Sequence, residues 1–367
     1  MKILYDHQIF SLQICGGVSR YFFELMKQFS IAGELDYELA LRYSNNSYLN
    51  SGSLGRYKTF FKSRDFRGKH RLMSILNRPQ SEKLLSRQDF DIFHPTYYDT
   101  YFLKYIDDKP FVLTIHDMIH EIYPWYFPTE DRTSANKKLL AQKAARIIAV
   151  SENTKNDIVR FLGVDEEKIT VIYHGTSLSK FPVNQRFELP VPQRYILFVG
   201  KRSRYKNFEF FIQAISPLLS EDKDLNVVCA GGKGFADFER CLFEELCLED
   251  RIHRLEVGDE ALAFLYRNAL AFVFPSLYEG FGIPVLEALS CGCPAILSNT
   301  SALAEAGGEA VVYFDPKSEI SIRKAVGDVI FNEDVRRNLR AKGFKQVERF
   351  SWKETAHRTA AVYRSIV

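Results

Sequence analysis

The sequence predicts an α/β protein built from two Rossmann-like domains that face each other across a cleft. Short apolar runs alternate with stretches of helical periodicity along the whole chain, which is the pattern of parallel sheets covered by helices. A proline-rich, aperiodic segment at 181–194 separates two such series. The length of 367 residues agrees with two domains, since one domain usually takes about 100–200 residues.

The first series predicts an N-terminal domain over 1–180. Its apolar runs read as strands at 3–5, 35–41, 91–94, 111–116, 146–150 and 168–173. A helical pattern follows the glycine pair Gly16-Gly17, and another begins at Ser151, a favourable helix N-cap, and stops at Gly163.

The second series predicts a C-terminal domain over 195–348, followed by a last segment at 349–367. Its strands are predicted at 195–199, 225–230, 252–257, 270–274, 295–297 and 310–314, and the chain beyond reads as helical. Ligands of such folds bind at the carboxyl ends of the strands, so residues that follow strands are the first candidates for a site.

Composition excludes several classes of protein. A formal net charge of +3 gives no support to a nucleic-acid binder, and the six cysteines lack zinc-site or disulfide-framework spacing. The N-terminus reads as a strand rather than a signal peptide, and no apolar run reaches the length of a membrane span. We therefore expect a cytoplasmic protein.

Metal binding has weak support in the sequence. The pairs Asp89/Asp91 and Asp222/Asp224 have D-x-D spacing, but neither stands at the carboxyl end of a predicted strand. We expect no metal ion and no resident cofactor.

The stretch 279–287 carries the most chemical information. It leads from a predicted strand into a helix, and Gly280 and Gly282 would let the backbone amides approach an anion closely. Glu279 and Glu287 are acceptors, which suits the hydroxyl groups of two polyols. The alternative is an ordinary helix start whose acidic residues are favoured by the helix dipole.

A basic turn follows the first strand of the second series. Arg202 and Lys206 would suit a diphosphate, because a guanidinium fork and a point charge both bind phosphate. Lys201 competes for one of these roles, and Arg204 makes the turn more basic still. The alternative is a solvated basic turn.

Taken together, the motifs resemble the signature of retaining GT-B glycosyltransferases of family 4. The stretch E-G-F-G-I-P-V-L-E at 279–287 is the strongest part of this resemblance. The other motifs follow in the family's order: G-G at 16–17, T-I-H-D at 114–117, V-S-E-N-T at 150–154 and V-G-K-R-x-x-x-K-N at 199–207.

The resemblance implies a nucleotide-diphosphate sugar as donor. Glu287 would accept hydrogen bonds from the nucleotide ribose, and Glu279 from the transferred sugar. Amides of Phe281, Gly282 and Ile283 would contact the sugar and the β-phosphate. Arg202 and Lys206 would neutralise the diphosphate, so that no metal ion is needed.

In the first domain the resemblance implies that His116 contacts the donor sugar near its reacting carbon. It places Gly16-Gly17 beside the diphosphate. A capped structural histidine and a glycine turn without a ligand are the respective alternatives. The resemblance also implies that the last helix crosses back to the first domain.

The pattern Tyr205-Lys-Asn207, together with 116–121, is similar to mannosyltransferases that use GDP-mannose and build bacterial surface glycans such as the O-antigen of lipopolysaccharide. GDP-perosamine, GDP-fucose or a UDP-hexose would suit much the same residues. A sugar-nucleotide epimerase and a catalytically silent nucleotide-sugar-binding partner are the other readings. The expected acceptor is a glycan or a polyprenyl-diphosphate-linked glycan.

One segment stands outside these motifs. Residues 56–71 hold seven lysines and arginines against one acid, with interleaved aromatic residues. Such a stretch can lie on the anionic inner face of the cytoplasmic membrane or bind an acidic acceptor, and nucleic acid is a less favoured partner. A solvated loop is the alternative.

Overall fold

The computed structural model describes residues 1–51, 54, 57–61, 64, 66–182, 187, 189–202 and 204–367, with the backbone alone for Asn50 and Ser51. Parts of three predicted segments lie outside the described residues: 56, 62, 63 and 65 of the basic stretch, 183–186 and 188 of the linker, and 203 of the basic turn. The chain divides into two compact units, Met1–His174 with Trp352–Val367, and Gly175–Ser351.

Strands and helices alternate along the described chain. The strands are β1 (Lys2–Tyr5), β2 (Asp36–Leu39), β3 (Ile92–His94), β4 (Val112–Ile115), β5 (Arg146–Ala149), β6 (Ile169–Val171), β7 (Arg194–Val199), β8 (Leu225–Ala230), β9 (Ile252–Leu255), β10 (Ala271–Phe274), β11 (Ala295–Ser298) and β12 (Val312–Phe314). The α-helices are α1 (Gln8–Leu12), α2 (Gly17–Ala32), α3 (Lys69–Ser86), α4 (Ile119–Ile122), α5 (Thr133–Lys143), α6 (Glu152–Leu162), α7 (Phe208–Glu221), α8 (Asp237–Glu245), α9 (Asp259–Asn268), α10 (Ile283–Ser290), α11 (Leu303–Gly307), α12 (Glu319–Ile330), α13 (Glu333–Val347) and α14 (Trp352–Arg364).

The second unit contains one six-stranded parallel sheet in the order β12-β11-β10-β7-β8-β9. Counted from β7, this is the 3-2-1-4-5-6 order of a Rossmann fold, whose ligands bind where the strand order reverses. That point lies between β7 and β10, which are neighbours with Ile196 opposite Ala271. The turns after these two strands are therefore expected to form the site.

The first unit has two three-stranded parallel sheets, β2-β1-β3 and β4-β5-β6. A parallel bridge between Phe93 and Phe111 links them into the order 2-1-3-4-5-6. Every paired strand is parallel and nearly all strand residues of β1 and β3–β6 are buried, as expected when helices cover both faces of a sheet.

Helix α14 belongs to the first unit. Its Tyr363 hydroxyl lies 2.6 Å from His94 Nδ1 and 2.8 Å from the Tyr5 hydroxyl, and Thr355 Oγ1 donates to the carbonyl of Tyr173 at 2.8 Å. The predicted fold class, two Rossmann-like domains with a last helix that returns to the first, is confirmed. Among the residues that the structure describes, no helix has the length and apolarity needed to cross a membrane.

Two helices show what local sequence can and cannot predict. Helix α6 begins as expected, since Ser151 Oγ accepts the amide of Thr154 at 3.0 Å. Helix α3 lies between β2 and β3, where the sequence analysis places no helix. Its buried face mixes the polar Lys69, Asn77 and Ser81 with the apolar Met73, Leu84 and Leu85. This mixture interrupts the apolar stripe by which surface helices are predicted.

Candidate functional site

The turns after β7 and β10 lie side by side at the expected edge of the second unit. The amide of Leu277 donates to the carbonyl of Tyr205 at 2.7 Å. Lys206 Nζ lies 2.5 Å from Glu279 Oε1, and the two side chains are only 15% and 13% exposed. The structure thus brings together two residues, 73 positions apart in sequence, that the sequence analysis places in one site.

Helix α10 begins within this turn. Gly282 has φ +105°, and a Cβ there would lie 3.0 Å from Leu303 Cδ2 and 3.2 Å from Val285 Cγ2, so a larger residue would be both strained and crowded. Phe281 is buried against Phe350, with ring centroids 5.8 Å apart. Pro284 has no amide hydrogen, and the Val285 amide donates to the carbonyl of Gly282 at 2.9 Å. Of the first three positions of α10, Ile283 therefore has the amide that can favour an anion.

Glu287 lies inside α10 and is 4% exposed. The Tyr266 hydroxyl donates to its Oε2 at 3.3 Å. Burial, and then the nearby Glu287 charge, raise the pKa of Tyr266 well above its usual value, so that the phenol stays protonated as a donor. Glu279 precedes the helix and Glu287 lies within it, which gives the two carboxylates separate surroundings.

Arg202 contacts Glu239 and the loop after β8, whereas Lys206 pairs with Glu279. Its Nε donates to Glu239 Oε1 at 2.8 Å, and both side chains are 5% exposed. Its Nη2 donates to the carbonyls of Lys233 and Gly234 at 2.6 and 3.1 Å. The guanidinium also lies over the Phe235 ring at 4.6 Å. In this structure Arg202 anchors the glycine-rich loop after β8.

The alternative cation of the basic turn, Lys201, is exposed. The turn itself is tightly bent, since Arg204 and Asn207 have φ values of +61° and +58°. Asn207 Nδ2 donates to the carbonyl of Pro316 at 2.8 Å and holds the turn in place.

In the first unit, His116 directly follows β4 and is 9% exposed. Its ring lies near Tyr21 (5.2 Å) and is stacked with His174 (6.1 Å), and Nε2 makes no hydrogen bond with any described residue. Burial lowers the pKa of His116 to about 3, with smaller effects from His94 and Lys137. The imidazole is therefore neutral.

The loop after His116 depends on a buried lysine that the sequence analysis does not identify. Lys137, which has no exposed surface, donates to the carbonyl of Asp117 at 3.0 Å and to Glu121 Oε2 at 2.8 Å. It comes from α5, which has lysines at 137, 138 and 143, and nothing in the local sequence distinguishes Lys137 from the other two.

The glycine pair begins α2 as predicted. Gln13 Oε1 accepts the amide of Ser19 at 3.1 Å and so caps this helix. A Cβ at Gly16 would lie 2.5 Å from that same oxygen. The absence of a side chain at Gly16 thus makes room for the cap, and Gly17 is the first helical residue.

The two D-x-D pairs and His94 of β3 have structural partners. His94 bridges Tyr363 and Thr114 (2.9 Å) within the core. In the first D-x-D pair, Asp89 accepts a hydrogen bond from Lys2 Nζ and Asp91 accepts one from the Lys2 backbone amide. Asp222 pairs with Arg194 at 2.8 Å. Within the described parts of the chain, no group of three or more histidine, cysteine or acidic side chains is arranged to hold a metal ion.

A cavity of about 760 Å³ lies in the first unit beyond α4. Trp125, Phe127 and Phe161 contribute rings to its lining, and Glu121 and Asp131 contribute carboxylates. Trp125 is 69% exposed, although its ring lies within 6.0 Å of two tyrosine rings. Local sequence does not reveal this cavity, because its lining is scattered over 120–162 without a motif.

Two family models match successive parts of the chain. The model described as Glycosyltransferase Family 4 matches 15–180, and that described as Glycosyl transferases group 1 matches 181–346. The chain is 28% identical to the O-antigen chain mannosyltransferase B of Escherichia coli over 389 aligned residues, covering 99% of this chain and 100% of the relative. It is 31% identical to the O-antigen chain mannosyltransferase RfbU of Salmonella typhimurium over 216 residues, covering 58% of this chain and 59% of that one.

Solved structures share the fold at low identity. Sucrose-phosphate synthase from Thermosynechococcus elongatus superposes with a TM-score of 0.78 at 20% identity, covering 100% of this chain and 99% of that one. Anabaena HepE, solved in complex with UDP and glucose, superposes with a TM-score of 0.77 at 17% identity over the full length of both chains.

Proposed function

We propose that this chain, which belongs to the family 4 glycosyltransferases of the GT-B fold, transfers mannose from GDP-mannose to a glycan acceptor in bacterial surface polysaccharide synthesis. The contact that carries the proposal is the Lys206–Glu279 pair beside the start of α10. The pair supplies a cation and an acceptor for hydroxyl groups, and the N-terminus of α10 lies beside it. All three stand at the point where a Rossmann fold binds nucleotides. The names of the mannosyltransferase relatives support the choice of sugar.

In this proposal the bound donor separates the Lys206–Glu279 ion pair, and each of the two side chains contacts the donor instead. The diphosphate binds Lys206 and the Ile283 amide at the start of α10, while Glu279 accepts hydrogen bonds from the mannose hydroxyls. Glu287 accepts from the ribose, with Tyr266 holding its other side. Lys201 is better placed than Arg202 to supply a second cation, because Arg202 already donates to Glu239.

Transfer breaks the bond between mannose C1 and the β-phosphate oxygen and forms a bond from C1 to an acceptor oxygen. The acceptor proton passes to the departing phosphate oxygen on the same face, which retains the anomeric configuration. We propose that Lys206 and the Ile283 amide stabilise the negative charge that develops on GDP, without a divalent metal. A neutral His116 contacts the sugar near C1 and adds no positive charge there.

The acceptor glycan, free or linked to polyprenyl diphosphate, is proposed to bind the cavity beside Trp125. Aromatic rings offer sugars an apolar platform, and carboxylates accept from their hydroxyls. Trp125→Ala is expected to raise the acceptor KM at least tenfold while GDP-mannose affinity stays unchanged. Phe238→Ala, another exposed ring, is the matched control. An unchanged acceptor KM for Trp125→Ala would show that the acceptor does not bind in this cavity.

The proposal as a whole is tested by a donor panel. The protein is incubated with an acceptor glycan and GDP-mannose, GDP-perosamine, GDP-fucose or UDP-glucose, with and without EDTA, and products are identified by mass spectrometry and NMR. We expect mannosyl product from GDP-mannose, with retained configuration and equal yield in EDTA. Product formed from UDP-glucose alone would refute GDP-mannose as the donor. Loss of product in EDTA would refute the metal-independent mechanism.

A further inference from the structure

Lys137 contacts three oxygen atoms of one short segment, the loop 117–121 that follows His116. Its Nζ donates to the Asp117 carbonyl at 3.0 Å and to Glu121 Oε2 at 2.8 Å, and it lies 3.9 Å from Asp117 Oδ1. The lysine side chain has no exposed surface, and that of Glu121 is 5% exposed. Because an ammonium group has three N–H donors and no acceptor, the loop takes up at least two of the three.

A gain in stability does not by itself account for a lysine at this buried position. Lys137 shares the inner face of α5 with Leu140 and Ala141, which are fully buried and stand at the i+3 and i+4 spacing of one helix face. A methionine or leucine at 137 would continue this apolar face, and apolar residues can often replace a buried ion pair without loss of stability. The lysine is therefore better explained by its effect on the loop that it contacts.

The same lysine lies beside the tyrosine that holds the backbone of His116. Its Nζ is 5.5 Å from the centroid of the Tyr98 ring, and the Tyr98 hydroxyl accepts the His116 amide at 3.1 Å in a buried hydrogen bond. Tyr98 is itself 5% exposed. The backbone is thus fixed on both sides of His116, by Tyr98 at its own amide and by Lys137 at the carbonyl of the next residue.

The His116 ring depends on this backbone for its position. Its Nε2 makes no hydrogen bond with any described residue. The ring packs against those of Tyr21, Phe22 and His174 at centroid distances of 5.2, 5.9 and 6.1 Å, and apolar packing is non-directional. A displacement of about 1 Å at a reacting site can cost roughly 100-fold in rate, so the contacts that hold 116–117 in place bear on the rate of transfer.

We propose that Lys137 is a positioning residue for glycosyl transfer. Together with Tyr98 it holds the backbone of 116–117, so that the imidazole of His116 stays at the reacting carbon of the donor sugar. Lys137 itself touches neither substrate and acts through His116, while Glu121 balances its charge. This inference rests on the proposed function, in which His116 contacts the sugar near C1, and adds to it a residue on another helix with a defined kinetic role.

Steady-state kinetics of Lys137→Met test the proposal. The donor is GDP-mannose, and the acceptor is the glycan that yields product in the donor panel. We expect kcat to fall roughly 10–100-fold, while the Kd of GDP-mannose in calorimetry and the acceptor KM stay within about threefold of the parent values. Lys143→Met replaces an exposed lysine of the same helix and should leave kcat and both affinities unchanged.

Two further variants separate positioning from folding. Lys137→Met alone leaves Glu121 as a buried carboxylate without a cation, so this variant should also unfold more easily. Lys137→Met with Glu121→Leu removes both charges and should recover the thermal stability of the parent but not its kcat, because the Asp117 carbonyl still lacks a donor. The kcat is taken at saturating acceptor, since Glu121 also lines the cavity beside α4. Tyr98→Phe keeps the ring, removes the acceptor of the His116 amide and should lower kcat in the same way.

Two outcomes would overturn the proposal. One is a stably folded Lys137→Met, Glu121→Leu variant with the kcat of the parent, which would make the lysine a stabilising residue alone. The other is an unchanged kcat with a raised acceptor KM in Lys137→Met, which would assign the ion pair to acceptor binding. If the donor panel identifies a donor other than GDP-mannose, the proposed function fails, and kcat measured with that donor still decides the role of Lys137.

Discussion

Arg202→Met tests whether this arginine anchors a loop or binds phosphate. The substitution leaves Glu239 as a buried carboxylate without its cation, in a pair whose side chains are 5% exposed. Removing one partner of a buried ion pair costs about 3–5 kcal/mol. In a unit of this size 1 kcal/mol shifts the midpoint by about 2–4 °C, so we expect a fall of roughly 6–20 °C. The assay is urea and thermal unfolding of the full chain.

Two further variants separate the roles. Arg202→Met combined with Glu239→Leu removes both charges and should recover much of the lost stability, because a buried ion pair is often replaceable by apolar groups. Lys201→Met, at an exposed position, should change stability by less than about 0.5 kcal/mol but weaken GDP binding. If Arg202→Met leaves stability unchanged and abolishes GDP binding in calorimetry, Arg202 is a phosphate ligand and the assignment to the loop is wrong.

Three other predictions concern both units. Lys206→Met removes the proposed diphosphate cation and should weaken GDP binding roughly 10–100-fold in calorimetry, since hydrogen bonds to charged groups contribute about 1.5–3 kcal/mol; unchanged GDP affinity would contradict its role. Gly282→Ala places a Cβ 3.0 Å from Leu303 Cδ2 at φ +105°, so unfolding should require about 1–3 kcal/mol less, and undiminished stability would contradict the strain. Burial lowers the pKa of His94 and His116 from 6.5 to about 3, so the unfolded chain binds more protons between these values and stability is lost as pH falls from 6.5. Each histidine should lower the free energy of unfolding by roughly 2–3 kcal/mol between pH 6.5 and pH 4.5. In His116→Gln, the free energy of unfolding measured in urea should therefore depend less on pH over this range.

The fold was predictable because parallel sheets leave a strong local signal. Buried strands such as β7 and β10 are continuous apolar runs, and glycine or proline marks the turns that follow them. The adjacency of Lys206 and Glu279 follows from strand order, which the resemblance implied and the sheet confirms. The roles of the individual site residues stay predictions.

Two features could not be read from local sequence. Arg202 and Lys201 are neighbours in a basic turn, and only the position of Glu239 on α8 decides which of them is buried. Helix α3 exposes Leu72 and buries Asn77 beside Leu85, so its sequence lacks the clear apolar and polar faces by which amphipathic helices are predicted. In both cases the deciding partner lies far along the chain.

The central claim, that Glu279 binds the sugar of the donor, is tested most directly by calorimetry of Glu279→Gln with GDP-mannose and with GDP. Losing an acceptor that is charged should weaken GDP-mannose binding by about 1.5–3 kcal/mol, or roughly 10–100-fold, whereas GDP, which lacks the sugar, should bind within about threefold of the parent. Glu256→Gln, at a carboxylate that is 83% exposed, is the matched control. Equal losses for both ligands, or no loss for GDP-mannose, would contradict the account.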